Sequence, residues 1–242
     1  MNTPKARTCT AREHGAITLD VRINVGSVRV IVEDREYAEV TLISPEGNES
    51  AARAVERATI DDHGDHLAVR VPNLEPTTAR QHFGGVTQVV GHNLGVVVGV
   101  VYGDVVSIGG MSGGTVVGGV VTGGVGPLVG IVARLPLGSS LLAETVSASV
   151  DVSGTLLRAV VETVSGAVHI DTVSAPDLST VSGRIAIDRL IGDGFAKTIS
   201  GGITVAATDR CNLRAESVSG SIRVTGPIAL SAHTVSGRVL NH

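Results

Sequence analysis

The sequence predicts an all-β chain whose C-terminal half is a β-solenoid, a β-helix-like coil of 17–19-residue repeats preceded by a small N-terminal β unit. Three observations predict it. The chain is 43% hydrophobic, yet only Tyr37, Phe83, Tyr102 and Phe195 are aromatic and there is no Trp. Val, Ile, Leu, Ala and Gly must then fill the core, and small or β-branched residues suit a thin space between close-packed strands. Second, the tetrapeptide Thr-Val-Ser-Gly, or a near copy, recurs at Thr145, Thr163, Thr180, Thr198, Ser217 and Thr234. The serines or their equivalents at 147, 165, 182, 200, 219 and 236 are separated by 18, 17, 18, 19 and 17 residues. A period this regular marks stacked units. Third, apolar and polar residues alternate with period two inside each unit.

The chain divides into three zones. Residues 1–83 form the N-terminal β unit. Alternation runs through Ile17–Val25, Val28–Val32 and Val40–Leu42, with Gly26-Ser27 as a turn and Glu33–Glu36 as a charged turn. Residues 49–57, ESAARAVER, are a run of helix formers and predict a short helix. Strands return at Ala58–Ile60 and Leu67–Val71 around the turn DDHGD, and Pro72 and Pro76 close the unit.

Residues 84–130 hold 16 glycines among 47 residues, with Asp104 as the one charge. Short Val-Val strands punctuated by glycine turns describe this zone as a compact β array. Gly91, Gly95, Gly99 and Gly103, four residues apart, also fit a small-residue packing face on a membrane helix. On that alternative, residues 94–132 insert into a bilayer.

Residues 131–242 carry the repeats. Positions six and eight of each unit are aliphatic: Val150/Val152, Val168/Ile170, Ile185/Ile187, Ile203/Val205 and Ile222/Val224. Positions five and seven are mixed and more polar, so one set faces a core and the other faces water. The fourth-position glycine is expected to permit a bend, and the serine before it to bond turn backbone. An extra TVSA at Thr172 suggests two related strands per turn. No unit can bury its aliphatic face alone, so each depends on its neighbours. The last rung, Val235–Leu240, is expected to leave an unpaired edge.

The serial TVSG/TISG/SVSG units, the lead-in Ala133-Arg-Leu-Pro-Leu-Gly138 and the N-terminal INVGSVRVIVED resemble a bacterial β-strand-repeat family whose members are called adhesin candidates. The resemblance implies the repeat fold and a scaffold or adhesin-like role, cytoplasmic or membrane-associated, linked in some members with envelope-stress responses. It implies no chemistry. The zone 84–130 is an addition to that pattern.

Composition narrows the function further. The net charge is −4, no basic run occurs and aromatic platforms are scarce, which disfavours nucleic acid. Cys9 and Cys211 have no metal-ligand spacing and form no disulfide framework, as expected in a reducing cytosol. The N-terminus has no apolar signal region, so the expected location is cytoplasmic, with membrane association as the alternative.

Candidate chemistry is sparse. Gly110-Met-Ser112-Gly-Gly114 matches G-x-S-x-G, but in a glycine-rich segment without a following helix it reads as coincidence. Asp61, Asp62, His63, Asp65 and His66 are crowded enough for a metal, and read more simply as a polar turn. Glu144, Glu162 and Glu216 precede their repeat units, with Lys197 and His233 at equivalent places; they could form a calcium or partner ladder, and read more simply as a solvated corner. The expectation is a non-enzymatic scaffold without cofactor, metal, small-molecule substrate or nucleic-acid partner. It acts through a protein partner or self-association, and the alternative docks its Val/Gly-rich segment on a membrane surface. The candidate interaction surface is Arg184, Arg223, Arg238, Asp151 and His169, all at outward repeat positions or beside them.

Overall fold

The structure, a computed structural model, describes residues 5–73 and 128–241 and, between them, the backbone of four short strands. In chain order the first elements are β1 Ala6–His14, β2 Thr18–Ile23, β3 Ser27–Val32, β4 Tyr37–Ile43, α1 Glu49–Arg57, β5 Thr59–Asp62 and β6 His66–Arg70. Two hairpins follow, β7 Ala79–Phe83 with β8 Val86–Val90 and β9 Thr115–Val117 with β10 Val120–Thr122. Then come β11 Gly130–Leu135, β12 Ser140–Thr145, β13 Ser149–Thr163, β14 Val168–Thr180 and β15 Ile185–Leu190. The last six are β16 Gly194–Thr198, β17 Ile203–Ala207, β18 Cys211–Ser217, β19 Ile222–Thr225, β20 Ile228–Thr234 and β21 Val239–Asn241.

The described chain is nearly all β, and α1 is its one helix. Asn48 caps α1, its Oδ1 accepting from Ala51 N at 3.0 Å, and Ala51, Ala54 and Val55 face the core. This is the helix the run ESAARAVER predicts. β1 was not foreseen in the sequence. It pairs antiparallel with β4 through Cys9↔Val40, but only Ala11 along it is buried, so it carries no inward alternation to read.

All strands except those of the two hairpins belong to one hydrogen-bonded sheet of 17 strands. It runs as two ladders. In the first, β6, β2, β12, the second half of β13, the second half of β14, β16, β18 and β20 lie parallel in that order, with β5 antiparallel on β6. In the second, β11, β3, the first half of β13, the first half of β14, β15, β17, β19 and β21 lie parallel, with β4 and β1 antiparallel beyond β11. β13 and β14 are long enough to run through both ladders. Strands from the N-terminal zone are built into both: β2 sits against β12, and β3 lies between β11 and β13.

Register brings like residues together. Thr163, Thr180, Thr198, Ser217 and Thr234 are successive partners in the first ladder. Val150, Val168, Ile185, Ile203, Ile222 and Val239 are successive partners in the second. The inward aliphatics Val152, Ile170, Ile187, Val205 and Val224 are all buried, and both ladders contribute to one contiguous core.

The corner glycines have a different role from the bend the sequence suggests. Gly166, Gly183, Gly201, Gly220 and Gly237 are absent from the positive-φ positions. A Cβ on Gly183, Gly201, Gly220 or Gly237 would overlap the carbonyl oxygen of the corner glycine one unit earlier, and on Gly166 that of Ala148. Close approach between units, not backbone freedom, requires glycine here.

This makes adjacent glycines distinguishable. Gly201→Ala is expected to destabilise the fold by about 1–3 kcal/mol, as overpacking does. Gly202→Ala, where the nearest atom to a new Cβ is Ser221 O at 3.6 Å, should stay within about 1 kcal/mol of wild type. Denaturant midpoints of the two variants check the contrast.

Candidate interaction surface

Each Thr-Val-Ser-Gly corner joins the first ladder to the second, and its four residues divide the bonding among them. The first-position hydroxyl turns inward and accepts the N–H of the glycine three residues on: Thr163 from Gly166 at 3.1 Å, Thr180 from Gly183 and Thr198 from Gly201 at 2.9 Å, Ser217 from Gly220 at 2.8 Å. A buried N–H needs such a partner, and Ser217 shows that the hydroxyl, not the methyl, is what the position demands. The second and third residues both donate their backbone N–H to the second residue's carbonyl one unit earlier. Val164 and Ser165, for example, reach Val146 O at 3.2 and 2.8 Å. The serine hydroxyl donates to the same carbonyl, Ser165 at 3.3 Å and Ser182, onto Val164 O, at 3.3 Å. Only the second side chain is left without a bond to make, and it points to water.

The five residues of the sequence-predicted surface lie on the second ladder, and they separate into two groups. Asp151 and His169 are register partners on β13 and β14. His169 Nδ1 stands 3.6 Å from Asp151 Oδ2, and its Nε2 stands 3.1 Å from Asp188 Oδ2. Asp188 escaped the sequence reading because its approach to His169 is diagonal across β15, outside the repeat register. All three groups are well exposed, and pairs of this kind contribute little to stability. Arg184, Arg223 and Arg238 are exposed, and the register places Arg223 and Arg238 diagonally on neighbouring strands, with Arg184 two strands further along the ladder. Arg184 precedes β15 and Arg238 precedes β21, with β17 and β19 between them, and Arg223 pairs in register with Leu240.

A shallow open groove of about 510 Å³ crosses the outer side of the same ladder. Its lining includes the small residues Gly130, Ser27, Ser149 and Ala167 and, two residues further along their strands, Arg29, Asp151 and His169.

The other candidates resolve into structural roles. Asp61 to His66 form the hairpin between β5 and β6, where Asp62 accepts from Gly64 N at 3.1 Å and Arg12 N at 2.8 Å. Among the described residues no group of three or more His, Cys, Asp or Glu is placed to hold a metal ion. Arg22, Glu144, Glu162, Ser179, Lys197, Glu216 and His233 are successive register partners on the first ladder. Cations meet the carboxylates there, Arg22 with Glu144 at 3.2 Å and Lys197 with Glu216 at 3.9 Å, while Glu144 and Glu162 are adjacent. The Arg214 guanidinium donates to Glu216 at 2.6 Å and holds its carboxyl below the usual glutamate range. Gly110 to Gly114, with Ser112, lie outside the described residues. No described helix is long and apolar enough to cross a membrane.

No family model matches the chain, and no curated protein matches it. Solved structures do. The chain is similar to an adhesin candidate from Bacteroides fragilis, with 12% identity, a TM-score of 0.49, and coverage of 98% of this chain and 97% of that one. A second adhesin candidate, from Parabacteroides distasonis, has 10% identity and a TM-score of 0.41, covering 99% and 97%. A lipid-binding candidate from Parabacteroides distasonis has 12% identity and a TM-score of 0.35, covering 99% and 96%. Likeness at this level carries no argument about function.

Two outcomes follow from the corner and the thiols. Thr180→Val keeps the shape but leaves Gly183 N–H buried and unpaired, and is expected to cost about 1–3 kcal/mol in equilibrium unfolding. Cys211 is buried, and burial pushes its thiol pKa up, whereas Cys9 is half-exposed. A thiol reagent at pH 8 should therefore modify Cys9 in the folded chain and reach Cys211 only in denaturant, as peptide mass mapping would read.

Proposed function

We propose that the chain is a non-catalytic β-solenoid scaffold, adhesin-like in kind, that holds a protein partner or a second copy of itself on its outer surfaces. The observation that carries this reading is the double parallel ladder, stepped by one repeat unit per strand pair. Such stacking aligns every outward position into a row, so that a side chain repeated in sequence becomes an extended surface. Among the described residues, the chemistry-bearing side chains are distributed along these rows and do not converge in an enclosed cavity. Rows of this kind suit a flat, extended partner better than a small substrate, which needs to be surrounded. One end of the stack supports the same reading. There β1, β4 and β5 run antiparallel and α1 packs its alanines inward, whereas at β20 and β21 the inward Leu230 and Ala232 are only half-buried and the inward Val239 is exposed. Cytoplasmic placement belongs to the proposal too, in keeping with two free cysteines.

Sedimentation velocity with light scattering, over a wide concentration range, tests the self-association branch. The expected result is a mass that rises with concentration and is unchanged by added liposomes. A monomer at every concentration would remove self-association and leave partner binding alone. Co-sedimentation with neutral vesicles would instead move the function to a membrane surface.

A further inference from the structure

Twelve large hydrophobic side chains are exposed among the described residues, and six fall in one column. They are Val146, Val164, Val181, Ile199, Val218 and Val235, between 41% and 72% exposed. Each is the second residue of its corner. The N–H groups of Val164, Val181, Ile199 and Val218 each bond the carbonyl of the member before at 3.1–3.2 Å, so the column is continuous.

The corner itself does not call for an aliphatic side chain at this place. Asn24 holds the same position one corner earlier, and its carbonyl accepts from Val146 N and Ser147 N at 3.2 and 2.7 Å, the same pair of bonds. A polar residue therefore fits. Single exposed aliphatics are ordinary on a protein surface, but an unbroken line of six marks a surface that is covered.

We propose that this column is where a second copy of the chain docks, column against column; the proposal rests on the scaffold reading and specifies its contact. Parallel strands set the side chains about 4.8 Å apart. A second copy has the same interval along its whole length, so its side chains can enter every gap, as in the dry interdigitation of identical strand arrays. A partner with an irregular surface meets only a few of the six. On one side of the column stand serines, and the hydroxyls of Ser165, Ser182, Ser200, Ser219 and Ser236 are already engaged at 3.3–3.4 Å. On the other side the row Glu144, Glu162, Ser179, Lys197, Glu216 and His233 mixes carboxylates with a cation, so no uniform charge opposes like-to-like pairing. A column one side chain wide falls short of the roughly 800 Å² per partner that a stable interface buries. The contact is accordingly weak and concentration-dependent.

Sedimentation equilibrium on the 242-residue chain tests it. Wild type is expected to pass from monomer to dimer as concentration rises. Val181→Asp with Ile199→Asp, which sets like charges against each other across the pair, should raise the concentration needed by at least about tenfold. Val181→Thr with Ile199→Thr keeps the β-branch and should weaken the dimer without disturbing the fold, which circular dichroism and the unfolding midpoint verify. His169→Ala, away from the column, should dimerise like wild type. If wild type dimerises and both column variants dimerise equally, the column is overturned while association through another surface stands. If wild type is a monomer throughout, the column and self-association fall together.

Discussion

Successive units of this chain meet at a corner where there is room for a hydrogen atom and none for a methyl group. The corner glycine of one unit lies against the carbonyl of the previous one, and that approach holds the neighbouring strands in hydrogen-bonding range. The threonine hydroxyl answers the glycine N–H that the approach buries, and the valine carbonyl answers two N–H groups of the next unit. Remove the close approach and the corner loses its bonds between units together with its tight turn. The parallel register of both ladders then has nothing to align it, because inward aliphatics alone would tolerate a two-residue slip.

A core built this way is thin and made of small parts. Ile170, Ile187 and Val205 share one contiguous buried cluster with Leu178, Ala196 and Leu213, without an aromatic ring among the largest fully buried side chains. Each unit depends on the next to cover its aliphatics. Where repetition stops at the N-terminal side, other devices take over: the antiparallel strands β1, β4 and β5, and a capped helix that buries Ala51, Ala54 and Val55.

Stacking also decides what the outside can be. Any charge placed at one repeat position returns at the same height one strand later, and a uniform row of carboxylates would repel itself. The row from Arg22 to His233 limits this: Glu144 and Glu162 are direct partners, but Arg22 stands on the far side of Glu144, and Ser179 and Lys197 separate this pair from Glu216. Aliphatic side chains carry no such penalty between neighbours and can recur without limit, which is what the second corner position does. The proposed docking column and the mixed charge row are thus two responses to one periodicity.

Period-two alternation sufficed to place the inward residues of the repeat units, and propensity sufficed to place α1, because both are local properties of the chain. The TVSG period located the corners for the same reason. The sequence could not disclose why glycine stands there, since the atom it avoids belongs to another unit. It also hid β1, whose side chains are exposed nearly throughout and leave no alternation. The exposed valine column was in view but unread: a valine in a repeat looks like core until the corner shows which way it points. The pairing of His169 with Asp188 and the insertion of β3 between β11 and β13 depend on contacts outside the repeat register. In the second case Arg29 meets Val132, far along the chain and beyond β4–β10, and no local pattern encodes which strand occupies a place that several aliphatic strands could fill. Alternation and repeat spacing therefore located the corners and the inward faces of the repeat units, but not a strand such as β1 that has no inward face. Tertiary structure alone decided which strands are neighbours, because backbone hydrogen bonding is blind to sequence and only the packing of the whole stack selects among equivalent edges.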